Sequence, residues 1–93
     1  MTAETTHDRK VRKIAAAYEG MGYRVRADIY GYSAPRSIRG RIPDVVAIRG
    51  KTTKIVEVET ERAFARDRDQ RGVFRDYAST RPRTRFRWTV AKE

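Results

Sequence analysis

Three carboxylates are the residues of this 93-residue chain best placed to do chemistry. Asp44 follows Pro43 and opens the run Val45-Val46-Ala47-Ile48, while Glu57 and Glu59 punctuate a second run, Ile55-Val56-Glu57-Val58-Glu59. Arg49 to Thr52 between them has turn chemistry. If the hairpin loop is centred on Gly50 and Lys51, whether of two or four residues, Asp44 falls directly opposite Glu57. Opposed residues share a face, with Cβ atoms about 4.5–5.5 Å apart, and Glu59 projects from that face two residues on. On this reading three carboxylates converge. Like charges so placed destabilise a sheet unless a cation, a raised pKa or a nearby arginine offsets them. A hard divalent cation held by one or two carboxylates, waters and a substrate phosphate meets that need, and Mg²⁺ accepts such a site. The pattern serves equally for an amphipathic strand with Glu57 and Glu59 in solvent and Asp44 as a turn residue after Pro43. A three- or five-residue loop would part Asp44 from Glu57.

The elements that must position these residues follow from periodicity. Val11, Ile14, Ala15, Tyr18 and Met21 recur at helical spacing, which predicts a helix over Asp8 to Met21. Thr5, Thr6 or Asp8 could cap its start, and Gly22 stands where a helix end favours a left-handed residue. Tyr23 to Ile29 alternates apolar and charged residues and reads as a half-buried strand. Tyr30 to Ile42 is a long basic loop, in which Tyr30 and Tyr32 could stack on bases or pack on the sheet, with packing expected for at least one. Asp44 to Ile48 and Thr53 to Thr60 form an antiparallel pair with Ile55, Val56 and Val58 buried. Asp67 followed by Gln70 resembles a capping box, and Val73, Phe74, Tyr77 and Ala78 predict a second helix of about three turns ending before Pro82. Phe86, Trp88 and Val90 alternate in a last strand, with Trp88 expected in the core. The result is a single α+β domain over residues 1–93, order α-β-β-β-α-β, with a mixed central sheet flanked by helices.

Composition narrows the partner. The net charge is +10, from 22 basic against 12 acidic residues, and 17 of the basic residues are Arg. Arginine presents a planar fork suited to phosphate, so nucleic acid is the first partner to consider. An arginine-rich proteome or a ribosome-associated role would produce the same bias. With no cysteine, a disulfide framework, a thiolate metal site and cysteine catalysis are excluded, which leaves metals to oxygen ligands. His7, the one histidine, sits near a terminus and is expected in solvent. The longest apolar stretches, Ile14 to Tyr18 and Pro43 to Ile48, fall far short of a membrane span of about 20 residues. No signal-peptide pattern opens the chain, so a cytoplasmic protein is expected.

Pro43-Asp44, a gap holding a hairpin turn, and Glu57-Val58-Glu59 in a strand together resemble the motif of the PD-(D/E)xK nuclease superfamily. The element order is similar to that superfamily's restriction-endonuclease-like core, and the likeness covers nearly the whole chain. Its nearest shape is the small archaeal Holliday junction resolvase type, which also opens with a helix ending in Gly followed by an aromatic and a strand, as Gly22-Tyr23-Arg24-Val25 does here. The resemblance implies Mg²⁺ or Mn²⁺ bound by Asp44, Glu57 and the backbone carbonyl of Val58. It further implies hydrolysis of DNA phosphodiesters, with branched DNA a candidate substrate, and a homodimer, because two strands must be cut. The third motif position is usually lysine, and here it is Glu59, which would serve as a general base or a ligand of a second metal. Lys54 lies on the opposite face by strand parity and Lys51 lies in the turn. Members of the resolvase type also place a carboxylate on the first helix, for which Asp8 or Glu4 stands better than Glu19.

Basic residues flank the motif. Arg36, Arg39 and Arg41 precede it and Arg62, Arg66 and Arg68 follow it, so both approaches would hold a nucleic-acid backbone. Between Arg62 and Arg87 stand nine arginines against three aspartates. Three functions fit: a metal-dependent DNA endonuclease, a catalytically inactive DNA-binding module of the same fold, and a small basic RNA-binding protein.

Overall fold

A computed structural model describes residues 4–64 and 66–92. The elements run α1 (Thr6–Gly20), β1 (Arg24–Ala27), β2 (Val45–Arg49), β3 (Thr52–Thr60), α2 (Arg68–Ser79) and β4 (Thr84–Ala91). This is the expected α-β-β-β-α-β order. The four strands form one sheet in the order β1-β2-β3-β4, antiparallel across the first two junctions and parallel between β3 and β4. The parallel junction requires a crossover, and α2 provides it.

Local chemistry explains where α1 begins and ends. The Thr5 hydroxyl accepts a hydrogen bond from the Asp8 N–H at 3.1 Å and caps the first turn. At the other end Gly22 adopts φ +88°, its N–H donates to the Glu19 carbonyl, and the Tyr23 N–H donates to the Tyr18 carbonyl, each at 3.0 Å. That pair of bonds is a Schellman motif, closed here by the apolar contact it usually carries, since the Tyr18 and Tyr23 rings meet edge-on at 5.2 Å. Because Tyr23 belongs to this helix stop, β1 starts only at Arg24. It ends at Ala27, short of the expected Ile29.

The β2–β3 hairpin turns through two residues, Gly50 and Lys51, with Arg49 paired to Thr52 and Gly50 at φ +59°. Its register, Val45 opposite Val56 and Val46 opposite Ile55, is the one that sets Asp44 against Glu57. Alternation along the strands then sorts side chains to two cores. On one face α1 packs Val11, Ile14, Ala15 and Tyr18 against Tyr23, Ala27, Val45, Ala47, Val56 and Val58. On the other face Phe74, Val73 and Tyr77 of α2 meet Ile55, Val46 and Phe86, with Ile38 from the long loop. Tyr32 packs beside the first core and Tyr30 is 93% exposed, so one of the two loop tyrosines does join the sheet.

Two expectations fail here for tertiary reasons. Trp88 is not core: it is 41% exposed, because that stretch of β4 lies beyond the apolar residues of α2 and is met by Phe64, ring to ring at 4.8 Å, and by the Arg71 guanidinium 5.4 Å from its centroid. The capping box does not form either. Asp67 makes no side-chain cap bond to α2, and Gln70 spends its amide on Glu57 instead. No helix among the described residues is long and apolar enough to cross a membrane.

Candidate functional site

Asp44 lies immediately before β2, at the end of the hairpin away from its turn, and there it interlocks with β3. Its backbone N–H donates to Glu57 Oε1 at 3.1 Å, and its Oδ2 accepts from the Val58 N–H at 2.8 Å. Backbone and side chain thus hold the two acids in fixed relation, as the register predicts. Val58 offers this edge its N–H, and its carbonyl lies along the same edge, since both groups of one strand residue point the same way.

Two residues expected in other roles complete the cluster. His7, in the first turn of α1, sets Nε2 3.4 Å from Asp44 Oδ2 while Nδ1 meets Asp8 Oδ1 at 2.9 Å. Contrary to the expectation of a solvated terminal histidine, the ring is clamped between two carboxylates. The interaction with Asp44, followed by that with Asp8, pushes its pKa up to about 9, burial opposing. From the other side of the sheet Gln70 of α2 donates its amide to Glu57 Oε2. Glu57 is 3% exposed, and burial first, then the charge of Asp44, pushes its pKa up to about 9. Gln70 and the Asp44 N–H pull the other way without overcoming that cost. At neutral pH His7 is therefore protonated and Glu57 keeps its proton.

Glu59 takes a different path. Strand parity places it on the Glu57 face, as expected, but it is 1% exposed and lies 3.7 Å from Arg71 Nη1 rather than beside Asp44. Its Oε1 has no hydrogen-bond partner. Burial and neighbouring Asp67 push its pKa up to about 7, with Arg71 pulling it down. Arg71 is itself occupied, donating to the Phe64 carbonyl and lying over the Phe64 ring at 4.1 Å and the Trp88 ring at 5.4 Å. Two of the three carboxylates meet, and the third is buried against Arg71. No group of three or more His, Asp or Glu among the described residues is arranged to hold a metal ion.

The other helix carboxylates are engaged elsewhere: Glu4 with Arg12 at 2.6 Å, and Glu19 with the Tyr32 hydroxyl at 2.6 Å. Asp8 reaches the site only through His7. Arg36 and Arg39 are exposed on the long loop, where Ile38 and Arg41 pair across a tight turn with Arg39 at φ +51° and Gly40 at +83°. Positive φ at both central residues marks a type I′ turn, and it sets Arg39 at the tip. Arg41, half-buried, leads into Pro43 and Asp44. Arg62, Arg66 and Arg68 are exposed on the connection from β3 into α2, with Arg66 3.8 Å from Asp67. Among the described residues none of these six bonds to Asp44 or Glu57. They border the chain's way into and out of the pair.

No protein-family model matches this chain and no curated protein matches it, so its function must be argued from these groups.

Proposed function

We propose that this chain is a metal-dependent DNA endonuclease in which Asp44 and Glu57 hold the cation and the surrounding arginines hold the DNA. One observation carries the reading: two carboxyl groups locked together at a strand end, with Glu57 kept protonated by burial beside Asp44, in a chain of net charge +10. Two acids pressed together at a cost to the ionisation of Glu57 make a site that a cation would relieve. The donor set suits a hard ion. The Asp44 and Glu57 carboxyl groups meet at the strand end, and the Val58 carbonyl lies along the same edge. Mg²⁺ or Mn²⁺ takes few protein oxygens and completes its shell with water and substrate phosphate, so the lack of a third carboxylate fits it better than Ca²⁺.

A bound divalent cation would supply charge stabilisation at the phosphate being cleaved. The remaining work belongs to the chain. Gln70 fixes the Glu57 carboxyl and the Val58 N–H fixes that of Asp44. His7 screens Asp44 when protonated and is the nearest group able to carry a proton on that side. Arg36, Arg39, Arg41, Arg62, Arg66 and Arg68 offer phosphate contacts on either side of the pair, and cutting a branched duplex on two strands would take a second copy of the site in a homodimer.

A second reading, a catalytically inactive DNA-binding module, is favoured by Glu59. The position that carries lysine in the nuclease motif is here a glutamate enclosed with Arg71, out of reach as a base. Incubation of branched and linear DNA with Mg²⁺ or Mn²⁺ decides between them. The nuclease reading expects metal-dependent products that EDTA and Glu57→Ala both abolish. No product at high enzyme, together with salt-sensitive DNA binding unchanged in Asp44→Ala, would establish the binding module instead. Preference for structured RNA over DNA would overturn both.

A further inference from the structure

The sheet face on which α2 packs is only half covered. α2 lies over β3 and β4, meets β2 at Val46, and leaves the rest of β1 and β2 on this face uncovered. On the open half, strand pairing sets Arg24 beside Ile48 and Thr53, and Arg26 beside Val46 and Ile55. Arg36 and Ser37 of the long loop close one side and Tyr77 of α2 the other, enclosing a cleft of about 700 Å³. That is within the roughly 300–1,000 Å³ of small-molecule pockets. Its floor is aliphatic, its walls carry three guanidinium groups and serine hydroxyls, and no carboxylate among the described residues lines it. Tyr77 adds an aromatic face with Arg81 4.3 Å from its centroid.

The cleft adjoins the acidic pair. Along the hairpin the opposed residues on this face are Ile48 with Thr53, then Val46 with Ile55, and the next step brings Asp44 to Glu57. Two strand residues advance about 7 Å, so the near end of the cleft is about one such step from the carboxylates.

We infer that this cleft receives unpaired nucleotides of a single DNA strand, bases on the aliphatic floor against Tyr77 and phosphates on Arg24, Arg26 and Arg36. The inference rests on the reading of the chain as a DNA-binding protein and adds a substrate class: a strand with unpaired bases next to the phosphate presented to Asp44 and Glu57. A recessed floor takes base faces only where they are unstacked, and aromatic and arginine side chains supply the sequence-tolerant contacts that unpaired bases use. A second copy of this chain fits poorly, because a two-fold contact through the cleft would oppose arginine to arginine.

The test is fluorescence anisotropy in EDTA, with labelled oligothymidylate and a blunt duplex of equal length as probes. The single strand is expected to bind more tightly than the duplex, and Arg24→Ala/Arg26→Ala to weaken it at least about tenfold. The slope of log affinity against log salt should fall by about 1.4, two phosphate contacts at 0.7 each. Both arginines are exposed, and a thermal melt checks the variant's fold. In the unaltered protein, a 4-thiothymidine strand should photocrosslink to Tyr77 or the Ile48 to Thr53 segment. Unchanged affinity and slope in a folded variant, crosslinks confined to other segments, or equal displacement by an oligoglutamate peptide would each overturn the inference. Binding to duplex or branched DNA with no single-strand preference overturns the cleft alone, whereas a wild-type protein that binds no DNA at all overturns the proposed function with it.

Discussion

Glu57 and Glu59 stand two residues apart on one strand and meet opposite fates. Glu57 opens toward Asp44, accepts two hydrogen bonds and still holds its proton to about pH 9 because burial outweighs them. Glu59 has a cation within 3.7 Å but an unbonded oxygen, so its partner supplies attraction without full hydrogen bonding. Removing one partner of a buried ion pair strands the other and costs about 3–5 kcal/mol. Glu59→Gln leaves the Arg71 guanidinium charged but keeps an amide oxygen facing it, and Arg71 retains the Phe64 carbonyl and ring. Arg71→Met is therefore expected to lower the unfolding free energy by about 3 kcal/mol in urea titrations, and Glu59→Gln by clearly less. Equal losses would mean that the Phe64 carbonyl and ring do not compensate Arg71 once the carboxylate charge is gone.

Two local devices set the elements that carry the site. The two-residue turn at Gly50 and Lys51 fixes the hairpin register, and the register brings Asp44 to Glu57. The Schellman stop at Gly22 fixes how α1 hands over to β1, and α1 carries His7 at its other end. At Gly22 a Cβ would meet Arg49 Cδ at 3.7 Å, an ordinary contact, so the cost of a side chain there comes from φ +88° alone. Gly22→Ala should destabilise the fold by about 1–2 kcal/mol, measured by thermal or urea unfolding. A helix stop of this kind is visible in sequence, because glycine, the preceding Tyr18 and the following Tyr23 all lie within six residues. The shorter β1 and the missing capping box are not visible in the same way. Tyr23 was claimed by the helix stop and Gln70 by a strand 13 residues away.

The charge balance of the whole molecule turns into two measurements. The first is stability against pH in EDTA. His7 and Glu57 both have folded pKa values of about 9, above ordinary values of 6.5 and 4.5. A raised folded pKa means that the native state holds its proton more tightly than the unfolded chain. The stability each confers is complete below its ordinary value and is lost as pH rises to the folded one. The melting temperature of the metal-free protein should therefore fall steadily from pH 6.5 to 9, and Glu57→Gln should flatten the fall. A melting temperature that rises over this range would show that the cluster is not arranged as described. The second is salt. A protein whose arginines hold the DNA backbone should lose affinity linearly in log salt, and Arg62→Ala/Arg66→Ala/Arg68→Ala should reduce that slope for duplex DNA by about 2–3.

Much of the site is written in the sequence because its central relation is local. Asp44 and Glu57 are joined by 12 intervening residues with a glycine turn at their middle, and alternation alone then decides that they oppose each other. The element order and the two faces of the sheet follow from the same short periods, 3.6 for helices and 2 for strands. Tertiary structure alone decided what surrounds the pair. His7 reaches Asp44 across 37 positions, Gln70 reaches Glu57 from α2 on the face opposite α1, and Arg71, stacked on Phe64 and Trp88, faces Glu59. None of these partners has a fixed spacing to the residue it meets, because helix placement on a sheet is set by the packing of apolar faces. Strand parity could put Glu59 beside Glu57, but only the way α2 settles on the sheet could take it out of the site.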